Sequence, residues 1–333
     1  MNKFKIAYKK KLFFPFLISI GLRAPKKIKR NPFKRKRKDD IFSVNFDAFQ
    51  ASKEKQSPIK ADLSRKKLSQ INLDSRVKMI LLGSLLGDGS INIQKNYVNA
   101  RFQMRHSGKQ ESWFNWKVSI LRSLATDKSV HKSAPDGFQK NSKNPTGKLH
   151  FQTRALPVLT EIFKIVEKGG KKYIQRSWLN HLNAEALMVW WLDDGSLVKN
   201  HKNGIFCTHG FSEKEVKILS QYLKRVWGVH TTLSKVKKKV SQKNSSTYEP
   251  TVLRLNTTNL VKFLRIIMPY VPVESMLYKL CIGYVDLEHQ QRWISELKQA
   301  FKKNKRELKV SFEKKIEEIY ALRKKESKKP SSF

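Results

Sequence analysis

The sequence predicts an α+β fold built from two related repeats, and three observations carry this prediction. An apolar run of helix length occurs twice and ends both times in Asp-Gly-Ser, at Asp88 and at Asp194. The two aspartates lie 106 residues apart, and the segments that follow them agree in kind and order. Each repeat therefore reads α-β-β-α-β-β-α, and this duplication predicts two domains related by a pseudo-two-fold axis.

The two apolar runs, residues 81–90 and 187–196, are too short to span a bilayer. We interpret each as a buried helix whose last turn presents a carboxylate, followed by a glycine that is free to end the helix. Asn72 or Asp74 is expected to cap the first helix. A carboxylate at the end of an apolar run is costly unless it has a partner, and a divalent cation is one.

Alternating strands follow the first motif. Residues 90–94, 101–106 and 148–154 alternate apolar with polar or basic side chains, which predicts half-buried strands whose open face meets an acidic partner. Helices are predicted over residues 110–124 and from Pro157 onward, where proline suits the first turn.

The second repeat follows the same order. Ser212 and Glu215 have the spacing of a capping box, which predicts the start of its central helix. The predicted strands and helices are residues 197–199, 205–209, 213–226, 229–240, 251–257 and 259–267.

Composition points to a polyanionic partner. The 333 residues carry a formal net charge of +42, so counterion release would supply much of the affinity for nucleic acid. Cys207 and Cys281 form no zinc or disulfide pattern, which favours a reducing compartment. Abundant Lys, Asn and Ile fit an AT-rich genome, so we expect an organelle, either chloroplast or mitochondrion, and no membrane association.

We expect four parts along the chain. Residues 1–70 read as a basic, disordered extension with a charged block at residues 34–38. The repeats cover residues 71–180 and 181–286, and a helical tail rich in Lys and Glu covers residues 287–333.

Together these features resemble the two-motif, single-chain type of LAGLIDADG homing endonuclease. The motif helices, residues 81–89 and 187–195, carry the resemblance, and the elements after them support it. The resemblance implies that these helices pack at the domain interface of a monomer and that each sheet curves into a saddle over the major groove of double-stranded DNA. Gly83 and Gly87 share a helix face, whereas the second repeat has Val189 in place of the first glycine.

The resemblance also implies a metal-dependent cut of both strands. Asp88 and Asp194 are the carried-over catalytic acids and metal ligands, and the residues before them, Gly87 and Asp193, are added to the metal site. Mg²⁺ suits such a site because it accepts few protein carboxylates and keeps its waters, and paired ions serve phosphodiester hydrolysis.

Further catalytic residues follow from the same resemblance. His106 and His209 are expected to end the second strand of their repeats and to position water. A basic residue past the last helix is Lys279 in the second repeat and Lys172, or its neighbour Lys171, in the first.

The polar strand faces are expected to contact DNA, because Arg and Gln offer bidentate partners to guanine and adenine and Lys more often contacts phosphate. In the first repeat these residues are Arg101, Gln103, Arg105, Lys148, His150, Gln152 and Arg154. In the second repeat they are Lys199, Lys235, Lys237, Lys239, Arg254 and Asn256.

Three functions compete at this point. The first is a site-specific, intron-encoded DNA endonuclease. The second is an RNA maturase that uses the same fold to assist splicing of its host intron, and the third is a DNA-binding protein on an inactive scaffold. The acidic pair favours the endonuclease, because a protein that only binds has no use for two carboxylates at the ends of apolar helices.

Overall fold

The computed structural model describes residues 73–135, 146–198, 201–236, 249–284, 286–301, 309–311 and 313–314. It divides the chain into residues 1–70 and 71–333, and every described residue belongs to the second part. The extension predicted for residues 1–70 therefore lies outside the described residues. So do Lys199, Lys237 and Lys239 of the predicted DNA-binding face.

The first repeat has the predicted order of elements. It consists of α1 (Ser75–Leu86), β1 (Gly89–Asn92), β2 (Arg101–Ser107), α2 (Glu111–Ile120), β3 (Val130–Ser133), β4 (Lys148–Gln152) and α3 (Pro157–Val166). A short hairpin, β5 (Glu167–Lys168) and β6 (Lys171–Lys172), and the single turn α4 (Arg176–Leu179) lead to the second repeat.

The second repeat has the same order and ends in an additional helix. It consists of α5 (Ala184–Asp194), β7 (Gly195–Leu197), β8 (Gly204–Phe206), α6 (Glu213–Trp227), β9 (Thr232–Lys235), β10 (Thr251–Leu255) and α7 (Thr257–Ile267). Two 3₁₀ turns, Met268–Tyr270 and Glu274–Lys279, precede α8 (Leu287–Ala300).

Each repeat forms one four-stranded antiparallel sheet. The strand order is β1-β2-β4-β3 in the first sheet and β7-β8-β10-β9 in the second, so the two sheets have the same topology. The predicted α+β class and the α-β-β-α-β-β-α order of both repeats are confirmed.

Local sequence signals fix the helix starts. Asp74 caps α1, because its Oδ1 accepts a hydrogen bond from the backbone N–H of Arg76 at 2.7 Å. Ser212 and Glu215 form the predicted capping box at α6. That helix ends at Gly228, whose φ of 61° is one that glycine adopts without strain.

The motif helices α1 and α5 pack against each other closely enough that only glycine fits on one side. A Cβ on Gly83 would lie 2.9 Å from Cβ of Val189 and 2.5 Å from the carbonyl oxygen of Ala186. A Cβ on Gly87 would lie 2.5 Å from Cβ of Asp193. The side chains of Val189 and Asp193 in the second motif therefore occupy the space left by Gly83 and Gly87 in the first motif.

The tryptophans of the second motif point into the core of their own repeat. Trp190 stacks on Phe206 with ring centroids 4.0 Å apart, and Trp191 meets Phe206 and Phe263 at steeper angles. Both indole rings are fully buried, so their bulk fills the second repeat rather than the helix interface.

Helix α8 packs back onto the second repeat. Trp293 is buried, and its indole N–H donates to the carbonyl oxygen of Leu280 at 2.9 Å. Arg265 makes a bidentate pair with Glu296 of α8. Within the described part of the chain, no helix is both long and apolar enough to cross a membrane.

Three strand predictions need correction. The strand β3 (Val130–Ser133) was not located, because its sequence shows little apolar alternation. The strand predicted over residues 229–240 is shorter within the described residues, where β9 covers only Thr232–Lys235. The strand predicted over residues 251–257 ends at Leu255, because the side chain of Asn256 accepts from the N–H of Asn259 and caps α7.

Candidate active site at the ends of the motif helices

Two carboxylates stand at the carboxyl-terminal ends of the packed motif helices. Asp194 is the last residue of α5, and Asp88 follows α1 by two residues. Burial raises the pKa of Asp194 to about 7, and the Asp88 carboxylate is the next cause. Partial burial likewise raises the pKa of Asp88 to about 6, with the Asp193 carboxylate as the next cause. The two acids are therefore near enough to repel each other, and each repeat contributes one.

A lysine holds the end of each motif helix. The Nζ of Lys172 donates to the carbonyl oxygen of Leu85 at 2.8 Å, and the Nζ of Lys279 donates to that of Leu192 at 2.6 Å. Of the two lysines considered in the first repeat, Lys172 reaches the helix and Lys171 is exposed. A cation at a helix carboxyl terminus satisfies free carbonyl groups and opposes the negative end of the helix dipole. Burial lowers the pKa of both lysines that reach the helices.

His106 belongs to β2, and its buried side chain lies beside Asp88. Its Nδ1 is 3.3 Å from Oδ2 of Asp88 and 3.3 Å from Oε1 of Gln110. Burial lowers the pKa of His106 to about 4, and the nearby Lys117 acts in the same direction. The ring is therefore neutral at pH 7, so its contact with Asp88 is not an ion pair. Its Nε2 is buried without a hydrogen-bond partner and lies 4.0 Å from Oδ1 of Asp193.

The counterpart of His106 in the second repeat is Thr208 rather than His209. Gly89, the first residue of β1, pairs with Met104, and Gly195, the first residue of β7, pairs with Phe206. His106 and Thr208 each lie two residues after these partners, so they occupy equivalent positions in the two repeats. The prediction that His209 ends the second strand is wrong, because β8 ends at Phe206 and His209 lies exposed in the following turn.

Asp193 is buried and already paired. The ammonium group of Lys117 lies 2.8 Å from its Oδ1 and 3.0 Å from its Oδ2, and the indole N–H of Trp113 donates to Oδ1 at 2.7 Å. Burial alone would raise the pKa of Asp193, but Lys117, His106 and Trp113 together outweigh it and hold this pKa below its usual range. Asp88, His106 and Asp193 each offer one ligand atom, and these atoms lie within 4.8 Å of one another, so the three residues form a candidate metal group.

Sequence reasoning missed both partners of Asp193. Neither Trp113 nor Lys117 belongs to the motif pattern on which the site prediction rests. One signal was present, because Lys117 falls on the apolar stripe of α2 between Trp113 and Leu121, where a lysine needs a buried partner.

The open face of the first sheet carries six of the seven DNA-contacting residues predicted for the first repeat. Cross-strand neighbours lie on the same face, and the register places one set of polar side chains opposite the buried Phe102, Met104 and Phe151. This set comprises Arg101, Gln103, Arg105, Lys148, His150 and Gln152.

Two histidines stack on this face, and one predicted arginine is engaged elsewhere. His131 of β3, which was not predicted, stacks on His150 with ring centroids 4.7 Å apart. Arg154 lies beyond β4, and its guanidinium group donates to the carbonyl oxygen of Ser123 at 2.9 Å. The assignment of Arg154 to the open face is therefore corrected.

The second sheet differs from the prediction at two positions. Arg254 is exposed on the open face, as predicted. Lys235 pairs with Thr251, which shares a face with the buried Leu253, so Lys235 lies on the opposite face from Arg254. Asn256 is occupied as the cap of α7.

Comparison with known proteins identifies the family. The profile of the LAGLIDADG DNA endonuclease family matches residues 78–263, which is more than half of the chain. The chain therefore belongs to the LAGLIDADG DNA endonuclease family. Among solved structures, the homing endonuclease I-WcaI bound to its DNA recognition sequence is similar, with a TM-score of 0.54 and 19% identity over 70% of this chain and 98% of that chain. This similarity supports the fold.

Curated relatives are distant and of several kinds. Protein RecA of Mycolicibacterium flavescens is 28% identical over 215 residues, which are 60% of this chain and 45% of that protein. This chain thus spans about half the length of the first curated relatives that it matches. DNA endonuclease I-ChuI of Chlamydomonas applanata is 23% identical over 50% of this chain and 79% of that protein. Cytochrome b mRNA maturase bI2 of Saccharomyces cerevisiae is 26% identical over 62% of this chain and 48% of that protein.

Proposed function

We propose that this chain is a site-specific endonuclease that hydrolyses both strands of a long, nearly palindromic DNA duplex. One observation carries the proposal: Asp88 and Asp194 stand at the ends of two tightly packed helices, and each comes from a different repeat. A pseudo-two-fold arrangement of two acids suits the two strands of a duplex. One chain supplies both acids, which supports action as a monomer.

The donor set fits a divalent cation, and we propose Mg²⁺. Asp88 and Asp194 have pKa values raised by burial and by neighbouring negative charge, and a divalent cation would relieve both effects. These two residues would hold the metal, with Gly87 beside them. Asp193 is the weaker candidate because Lys117 and Trp113 already occupy its carboxylate. When bound, the metal would supply an activated water and charge neutralisation at the leaving oxygen.

The remaining residues would orient the acids and hold charge. Lys172 and Lys279 fix the last turns of the two motif helices from which the acids project. Each also places a positive charge close to the acids, where a scissile phosphate would approach. His106, neutral and in contact with Asp88, would position that carboxylate and a water molecule beside it.

The open face of the first sheet supports double-stranded DNA as the substrate. Gln103 and Arg105 lie centrally on it and offer the bidentate geometries that recognise adenine and guanine in the major groove. Arg254 is the corresponding candidate in the second sheet. The net charge of +42 supports strong contacts to phosphate.

A selection from random DNA tests the proposal. The protein is incubated with Mg²⁺ and a randomised duplex library, and the cut ends are sequenced, with EDTA as the metal-free control. We expect one family of long sites cut on both strands. Asp88→Asn and Asp194→Asn should abolish double-strand cleavage and keep DNA affinity within about tenfold, because phosphate contacts dominate affinity. Asp127→Asn, at an exposed turn, is the matched control. A variant of either acid that still cuts both strands at full rate would refute its assignment.

RNA maturase activity is the second candidate, and the similarity to maturase bI2 favours it. In this function the basic faces would bind the host intron, and the acids would not be needed. The Asp88→Asn variant separates the two functions: it should lose DNA cleavage but retain splicing of the intron RNA in vitro. Intron encoding and an organellar location remain predictions, the latter from composition.

A further inference from the structure

The two halves of the candidate active site differ at one buried ion pair. Asp193 of α5 is paired with Lys117 of α2, and both side chains are completely buried. The pseudo-symmetric position of Asp193 is Gly87, which carries no side chain. The position that corresponds to Lys117 in α6 is Leu219, which is buried and apolar.

The correspondence of α2 with α6 rests on their buried faces. A constant offset of 102 residues matches the buried residues of the two helices. The pairs are Trp113 with Glu215, Phe114 with Val216, Lys117 with Leu219, and Leu121 with Leu223. The same offset relates His106 to Thr208 through the strand register. The ion pair therefore has no equivalent in the other half of the site, where the corresponding positions hold Gly87 and the apolar Leu219.

Stability does not require this ion pair. Burying two charges costs about as much as their attraction returns, and a pair of apolar residues is often as stable. The second repeat has a buried apolar residue, Leu219, at the position equivalent to Lys117. A positional role explains the pair better, since Gly87 leaves room for Asp193 to cross the helix interface into the first repeat.

His106 is the group on which Asp193 acts. Oδ1 of Asp193 lies 4.0 Å from its Nε2, and Oδ2 of Asp88 lies 3.3 Å from its Nδ1, so the ring stands between two carboxylates. In the second half, Thr208 replaces the imidazole and its hydroxyl donates to the carbonyl oxygen of Thr251. Any effect of Asp193 through this position is confined to the half that contains Asp88.

We propose that Asp193, held by Lys117 and Trp113, is a positioning residue that fixes His106 against Asp88 and binds no metal. It thereby sets the reactivity of one half of the site, and the two DNA strands are cut at rates that depend differently on it. This inference rests on the proposed endonuclease function for its effect on cleavage. The candidate metal group of Asp88, His106 and Asp193 is the rival assignment.

Metal binding without DNA separates positioning from ligation. Mn²⁺ is titrated by calorimetry into the full chain, its Asp193→Asn and Lys117→Met variants, and the double variant. We expect Asp193→Asn to lower Mn²⁺ affinity by less than about a hundredfold, the upper range for a group behind the ligands, and Lys117→Met to raise it at least threefold because it frees a carboxylate. A loss of more than about a hundredfold in Asp193→Asn would make Asp193 a ligand and overturn the proposal.

Thermal unfolding of the same four proteins tests the pairing. Each single variant leaves a buried partner unmatched and should lower Tm by at least about 6 °C. The double variant should recover more than half of that loss, which keeps the test interpretable where a single variant folds poorly. Additive losses in the double variant would refute the pairing.

Strand-specific cleavage tests the positional role. With the selected duplex labelled on each strand, we measure the ratio of the two cutting rates under Mg²⁺. Asp193→Asn should change this ratio by about tenfold, the scale on which groups behind a metal site act. The matched control is Glu185→Gln, which breaks a different inter-repeat ion pair, formed with Arg76 at 2.8 Å near the opposite ends of the helices.

Each outcome has one meaning. Glu185→Gln should lower stability and leave the ratio unchanged. An equal slowing of both strands by Asp193→Asn would reduce the residue to a structural role and overturn the inference. A wild-type protein that cuts no duplex would overturn the proposed function and the effect on cleavage together, while the Mn²⁺ and unfolding results would still decide whether Asp193 binds metal.

Discussion

Replacement of the proposed catalytic acid Asp194 by Asn should stabilise the metal-free protein at pH 7.5. Burial raises the pKa of this carboxyl from 3.8 to about 7. A raised pKa means that the folded state holds a proton which the unfolded state has already released. Stability from this group is therefore fully present below pH 4 and is lost as the pH rises to about 7.

The magnitude follows from the shift. About three pKa units at about 1.4 kcal/mol each give an upper limit of roughly 4 kcal/mol. Asp194 keeps some contact with solvent, which screens part of this cost, so we expect a gain of about 1–2 kcal/mol for Asp194→Asn. For a domain of this size, that corresponds to an increase in Tm of about 2–8 °C.

The assay is thermal unfolding in EDTA at pH 7.5 and pH 5. The gain should fall to less than about half at pH 5, where the folded carboxyl is mostly protonated. Asp286→Asn is the matched control, because Asp286 caps α8 at an exposed site and its hydrogen bond from the His289 N–H lowers its pKa. Addition of Mg²⁺ should stabilise the wild type more than the variant. A lower Tm for Asp194→Asn at pH 7.5, or an equal gain at both pH values, would refute the reasoning.

Three further substitutions test the DNA face, the helix interface and the tail. Arg105→Ala should cost about 1–3 kcal/mol of binding to the selected site and reduce the salt dependence of binding, as measured by titration at several salt concentrations. Arg292→Ala, at an exposed position of α8, should change neither. Gly87→Ala should lower the free energy of unfolding, measured by denaturant titration, by about 1–3 kcal/mol. The reason is that the new Cβ would lie 2.5 Å from Cβ of Asp193. An unchanged free energy of unfolding would contradict the close packing of the helices. Trp293→Ala should cost about 3–5 kcal/mol in the same assay, and a smaller loss than 1 kcal/mol would mean that α8 is not part of the core.

Much of the fold is encoded in local patterns. The alternation of β2 and β4 predicts where both strands begin and which face is buried, and the Ser212 capping box predicts the start of α6. These patterns suffice because each depends on residues that are neighbours along the chain. The strand β3 escaped prediction because its sequence lacks alternation and the strand is defined by pairing with β4.

The candidate site likewise contains residues that the sequence predicts and residues whose placement requires the tertiary structure. The positions of Asp88 and Asp194 at helix ends follow from two apolar runs, whereas Lys279, and Lys172 or Lys171, follow from the family resemblance. The face on which Lys235 lies required the register of β9 against β10, because a shift of one residue exchanges the faces.

The sequence by itself determined a duplicated α+β chain with one acid at the end of each motif helix, because both features depend on short-range periodicity. Only the tertiary structure decided that Asp193 is bound to Lys117, 76 residues away, and that Thr208 is the counterpart of His106. The physical reason is that partner choice for a buried charge, and equivalence between strands, depend on how distant segments pack and pair in space.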